Sequence, residues 1–203
     1  MSGSLFIGRS NDYQEIERIL TESSDEELEA KLGRFKMTIV ALAQSLGGID
    51  CQTWALNKMG LPQYGFERAG SIQRALIMNQ LPEVERLSPS SPVDGALVAY
   101  CFPGIEELLE EPPKPYCHYG ILCLNNGEWF VTSKWGAEES ETPWMGRTHV
   151  FRHPLIGINY FGNYVDLYKK RGHSVTIEPN NISRLTLRRL IPAEARAVPK
   201  VEF

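Results

Sequence analysis

Cysteine is scarce in this 203-residue chain, with four in all: Cys51, Cys101, Cys117 and Cys123. That is too few for a small secreted domain stapled by disulfides, so reduced thiols are the expectation. Histidine is equally sparse, at His118, His149, His153 and His173. No uncharged stretch approaches the roughly 18 residues of a membrane span. The opening MSGSLFIGRSNDYQEIERIL has no basic region followed by an apolar run, so no export signal is read and a soluble, cytoplasmic protein is expected. Positive charge is not in excess either: 21 Lys and Arg against 25 Asp and Glu leave a net charge of -4, which sets up no field to draw nucleic acid or anionic lipid. Internal repeats are absent. What is present is a hydrophobic fraction of 42% and an aromatic fraction of 10%, enough for the core of one domain. That domain is read over 1–203, with its core at about 25–170 and a C-terminal extension at about 171–203.

Helical signals come first along the chain. A short helix is read from about Asp12 to Leu20. Ser24 followed by Glu27 has capping-box spacing, and DEELEAKLGRFKMTIVALAQSLGG after it reads as one long helix stopped by Gly47 and Gly48. IDCQTWALNKMGLP reads as a helix of about ten residues closed by Gly60 and Pro62, and GSIQRALIM as another from Gly70. Beyond Pro82, Pro89 and Pro92 the period becomes extended. GALVAYCF, CHYGILCL and EWFVTSKW read as strands, the last two joined through Asn125-Asn126-Gly127 as a hairpin. GNYVDLYKK reads as one more strand, ISRLTLRRLIPAEA as a final basic helix or arm, and GIEELLEEPPKPY as a surface excursion. Helices followed by a small antiparallel sheet predict an α+β class.

Cys51 immediately follows Asp50 at the start of a helix, where unpaired N–H groups and the positive end of the dipole favour a thiolate. A cysteine there also suits a nucleophile, since its own N–H can help hold an oxyanion. Asp50 opposes this unless its carboxylate turns away to cap the helix. A cysteine nucleophile needs a base, and histidine is the residue able to take and return a proton near neutrality. In CHYGILCL, alternation puts His118, Gly120 and Leu122 on one face and Cys117, Tyr119, Ile121 and Cys123 on the other. Gly120 beside His118 leaves space for another element to approach, as a helix carrying a nucleophile would.

TIVALAQSLGGIDCQTWALNKMGLP, SPVDGALVAY and CHYGILCLNNGEWFVTS, taken in that order, resemble the Asp-Cys helix, Pro-Gly-Asp strand and His-x-Gly hairpin of NlpC-type cysteine peptidases and their CHAP-like relatives. The resemblance covers residues 36–135, about half the chain. It implies a papain-like fold, with Cys51 as nucleophile and His118 as general base facing each other across a helix–sheet groove. It also implies hydrolysis of a peptide or amide bond, of which bacterial cell-wall peptide is the family's best-known example, or acyl transfer. Three features depart from the family pattern: Gln52 and Thr53 follow Cys51, the Gly-rich loop before the cysteine is compressed to Gly47-Gly48-Ile49, and the strand Phe130-Val131-Thr132-Ser133-Lys134 carries no histidine to orient the base. Ser133, Thr132 or His149 is left for that role. A non-catalytic binding module on the same scaffold, or a thiol acyltransferase or deamidase acting on an intracellular protein, is the competing expectation.

Neither a cofactor nor a metal is expected. Cys101, Cys117, His118 and Cys123 point to both sides of a sheet, which a tetrahedral site does not tolerate. His149 and His153 have helical spacing, but Pro154 makes their segment extended, and surface positions are expected for them. LTLRRL reads as a solvated helix face, and the tryptophans Trp129, Trp135 and Trp144 as core packing.

Overall fold

A computed structural model of the chain describes residues 5–6, 13–41, 49–64, 69–88, 90–101, 116–135, 149–155 and 164–172. The first helix, α1 (Tyr13–Glu22), buries Ile16, Ile19 and Leu20 at helical spacing. Its neighbour α2 (Asp25–Leu32) begins after Ser24, whose N–H donates to the Glu27 carboxylate at 3.3 Å, and it buries Leu28 and Leu32. The long helix expected here does not continue. A 3-10 turn at Gly33–Phe35 follows, Lys36 takes a left-handed φ of 55°, and Thr38–Ala41 is a strand, β2. Helical periodicity is outweighed at this point by a glycine that weakens the helix and by the β-branched run Thr38-Ile39-Val40, which finds a strand partner. The remainder of the expected helix, at 42–48, lies outside the described residues.

Helix α3 (Cys51–Lys58) is held at its start by Asp50, whose side chain accepts a hydrogen bond from the Thr53 N–H at 2.6 Å. Its end is turned by Gly60 at φ 70°. Helix α4 (Ala69–Ile77) completes the helical part.

The strands are β1 (Leu5–Phe6), β2, β3 (Val84–Arg86), β4 (Leu97–Cys101), β5 (Tyr116–Asn125), β6 (Glu128–Lys134), β7 (Val150–Pro154) and β8 (Tyr164–Lys170). They form one antiparallel sheet in the order β1-β8-β4-β5-β6-β7-β2, with β3 also paired to β8. The expected hairpin joins β5 and β6 through Asn126 and Gly127 at φ 49° and 80°, the positive values that two-residue turns between antiparallel strands require. The class is therefore α+β with an antiparallel sheet. Sequence patterning missed β1 and β3, which are only two and three residues long. Of the surface excursion expected at 104–116 only Tyr116 is described, and it is buried as the first residue of β5; the rest of it, Trp144, His173 and the C-terminal arm lie outside the described residues, as does the Cys117 side chain.

The sheet carries cores on both faces. On one, Leu97, Ala99, Tyr116, Tyr119, Val150 and Tyr168 pack with Trp54, Ala55 and Leu56 of α3 and Ile72 and Leu76 of α4. On the other, Val98, Tyr100, Leu122, Val131, Val165 and Leu167 form a second cluster. Trp135 and Phe151 extend that face under Ile16, Ile19, Leu20, Leu28 and Leu32 of α1 and α2.

Candidate active site

Cys51 occupies the first residue of α3, as its position after Asp50 predicts, and the thiol packs against the α3-side core. Asp50 does turn to cap the helix, but its negative charge still reaches the sulfur. Two main-chain donors, from Tyr119 on β5 and from Gln52, favour the thiolate, and so does the positive charge of Lys134. Burial works against them and is the largest influence, so the thiol is pushed up to about 11. The lowered value expected from the helix start is thus reversed, because desolvation of the sulfur outweighs the donors around it.

His118 lies elsewhere. Alternation along β5 is as the sequence predicts, and it puts Tyr119 on the face covered by α3 and His118 on the opposite face. There the imidazole lies 5.8 Å from the Tyr100 ring and 6.3 Å from the Trp135 ring, centre to centre. The expected groove with Cys51 and His118 facing each other is not what this arrangement presents. The space beside Gly120 has another occupant too. A methyl built on Gly120 would lie 2.5 Å from Val131 Cγ1, 3.0 Å from Ser133 Cβ and 3.0 Å from the Thr132 carbonyl oxygen. The glycine is required by the close approach of β6, not by a helix.

Ser133 and His149 share the His118 face. Ser133 is fully buried, and its Oγ accepts a hydrogen bond from Trp135 Nε1 at 2.8 Å. His149 stacks on Phe151 at 5.8 Å, and its Nε2 is 3.5 Å from the Asp25 carboxylate at the start of α2. Thr132 points to the other side, where its Oγ1 lies 3.6 Å from Cys123 Sγ. The surface positions expected of His149 and His153 are corrected: both are buried, at 7% and 1% exposure. The extended conformation expected for them holds, but β7 lies between β6 and β2 instead of at a rim. His153 donates from Nδ1 to the Pro154 carbonyl at 3.0 Å, and burial brings its pKa down to about 4. Burial, with the charges of His153 and Lys134, holds His118 well below the ordinary histidine value, so the imidazole is neutral.

Two buried polar groups were missed in sequence. Lys134, 1% exposed, lies on the α3 side of β6, since its neighbours Ser133 and Trp135 face the other way. The signal for it was the alternation of EWFVTSKW, which puts Phe130, Thr132 and Lys134 together. Gln52 is 2% exposed, and neither atom of its carboxamide has a partner among the described residues, an arrangement that costs about 1–3 kcal/mol. Nothing in the sequence marks it.

A third polar group lies further along the α3-side face. Asp166 accepts hydrogen bonds from Arg86 and from the Tyr116 hydroxyl, which also pairs with the Tyr168 hydroxyl at 2.5 Å. It ties β3, β5 and β8 together; burial raises both tyrosines, and the negative charge of Asp166 adds to the rise.

Among the described residues no cluster of three or more His, Cys, Asp or Glu is placed to hold a metal ion, and no helix is long and apolar enough to cross a membrane. No family model, curated protein or solved structure matches the chain.

Proposed function

We propose that the protein is a cysteine hydrolase of papain-like type, cleaving a peptide or amide bond through a Cys51 thioester, with acyl transfer as the variant outcome. The observation that carries this reading is the surroundings of the Cys51 sulfur: main-chain N–H groups from two separate elements, Tyr119 of β5 and Gln52 of α3, point to it at a helix start. A cysteine that only fills space has no use for such donors, whereas a thiolate or the oxyanion of an acyl intermediate does. In the reaction the Cys51 thiolate attacks the carbonyl carbon, a C–S bond forms, the C–N bond breaks and the amine leaves with a proton. Water then hydrolyses the thioester, restoring the thiol. Bacterial cell-wall peptide and intracellular protein amides are the substrate classes in view.

A second reading, a non-catalytic binding module, is favoured by one observation: His118 and Cys51 occupy opposite faces of the sheet. The two readings separate on acylation. With the thiol at about 11, about one part in ten thousand is thiolate at pH 7, so acylation by an activated ester should be slow there and rise about tenfold per pH unit. Intact-mass spectrometry after incubation with p-nitrophenyl acetate should show one acetyl group on Cys51, absent in Cys51→Ser, which is lost again as the thioester hydrolyses. No adduct on folded protein between pH 7 and pH 10 would favour the binding module.

A further inference from the structure

On the face away from Cys51, two imidazoles belong to a closed set of four buried rings. Tyr100 lies 5.8 Å from His118 and 6.3 Å from His153, and Trp135 lies 6.3 Å from His118 and 5.7 Å from His153, centre to centre. Tyr100 and His153 start on β4 and β7, three strands and about 14 Å apart, so their rings can meet only above β5 and β6. Gly120 and Ser133 lie there side by side, one with no side chain and the other with a short one. None of the four rings is more than 3% exposed. Trp135 is also part of the core beneath α1 and α2, where Phe151 meets it edge-on at 5.2 Å. The box is thereby joined to the α1–α2 layer.

We propose that this box is an acid-operated latch: protonation of its histidines releases α1 and α2 from the sheet while the α3 side stays folded. The latch goes beyond the reaction at Cys51 and does not depend on it. His153 donates from Nδ1 to the Pro154 carbonyl, and its Nε2 has no partner among the described residues. A second proton on this ring adds a buried charge and a donor without an acceptor. The charges that reach His118 are those of His153 and of Lys134 from β6, both positive, so the imidazoles oppose each other's protonation. The side chains that α1 and α2 turn to this core are apolar, Tyr100 is the titratable group from β4, and Arg152 beside His153 carries its guanidinium over Phe130. Asp25, at the start of α2, faces His149 at 3.5 Å, but it is exposed, and such a pair holds little against the buried charges when His149 is protonated. The helices grip this face through Trp135 and Phe151, whereas α3 has its own core and the Asp166 network on the other side. Opening of the first layer alone hydrates both imidazoles.

Burial lowers the His153 pKa to about 4 in the closed form, against about 6.5 for a hydrated histidine. The closed form binds fewer protons, so it is favoured at neutral pH and loses ground as the pH falls. His153 by itself multiplies the opened population about twentyfold between pH 7 and pH 5, and His118, also held low, acts in the same direction. The test is hydrogen exchange of the full chain at pH 7 and pH 5, read by mass spectrometry and corrected for the intrinsic pH dependence of exchange. Opening at residues 16–20 and 28–32 should rise at least twentyfold, while α3 and β8 change less than threefold. In His153→Phe that rise should shrink by about twentyfold. A rise below threefold in wild type, an equal rise in His153→Phe, or α3 and β8 opening in step with α1 and α2 would each overturn the latch. Should His153→Phe leave α1 and α2 unprotected already at pH 7, wild type between pH 6 and pH 5 decides. A rise of about sevenfold or more there reports uptake of at least one proton, and a smaller one would overturn the proposal.

Discussion

Replacing Gly120 with alanine tests the packing of β6 against β5 at the centre of the sheet. The added methyl would meet Val131 Cγ1 at 2.5 Å and both Ser133 Cβ and the Thr132 carbonyl oxygen at 3.0 Å. The first of these is a side-chain tip on a stiff β-branched residue, and the third is backbone in a ladder, so neither yields freely. Overpacking of this kind costs about 1–3 kcal/mol, of which the smaller entropy loss of alanine returns about 0.5–1 kcal/mol. A net loss of about 1–2 kcal/mol lowers the Tm by about 2–8 °C in a protein of this size. Removing the nearest obstacle should return part of that loss, so a cycle of Gly120→Ala, Val131→Ala and the double variant should show coupling of about 1 kcal/mol, the double variant being more stable than the sum of the singles. Thermal and urea unfolding followed by circular dichroism would measure it. Additive losses, or a Gly120→Ala protein as stable as wild type, would refute the close approach and restore open space beside His118.

Two further outcomes follow from the buried groups. His153 titrates near 4 in the folded protein against about 6.5 unfolded, so between those values the unfolded chain binds more protons; stability is whole above about pH 6.5 and is lost as the pH falls toward 4. That loss is about 3 kcal/mol at about 1.4 kcal/mol per unit, and His118 adds to it in the same direction. Urea unfolding at pH 7 and pH 4.5 should show a difference smaller by about 2–3 kcal/mol in His153→Phe than in wild type, and equal differences would show that His153 is not held neutral. At Asp50, two substitutions separate cap from charge. Asp50→Ala removes the bond to the Thr53 N–H and should cost about 1 kcal/mol in thermal unfolding, whereas Asp50→Asn keeps an acceptor and most of the stability. Both remove the carboxylate that opposes ionisation of Cys51, so both should label faster with iodoacetamide; slower labelling in either would show that this charge does not reach the sulfur.

What could be read from the sequence was what depends on near neighbours. The Asp50 cap, the start of α3 at Cys51, the Asn126-Gly127 turn, the strands β4 to β6 and the alternation of His118 and Tyr119 follow from a few adjacent residues. Thr38-Ile39-Val40 shows where that reasoning ends, since its apolar spacing fits a helix and only pairing with β7 makes it a strand. The relation between Cys51 and His118 is the same kind of question. Local alternation separates Tyr119 from His118, but which of them meets Cys51 depends on the face that α3 covers. That was decided by packing of Trp54, Ala55 and Leu56 on Leu97, Ala99 and Tyr119. Packing likewise reversed the expected direction of the thiol pKa, buried His153 of β7 and His149 just before it, and brought Lys134 to the α3 side. Burial and long-range charge are properties of the assembled sheet, and no stretch of the chain carries them alone.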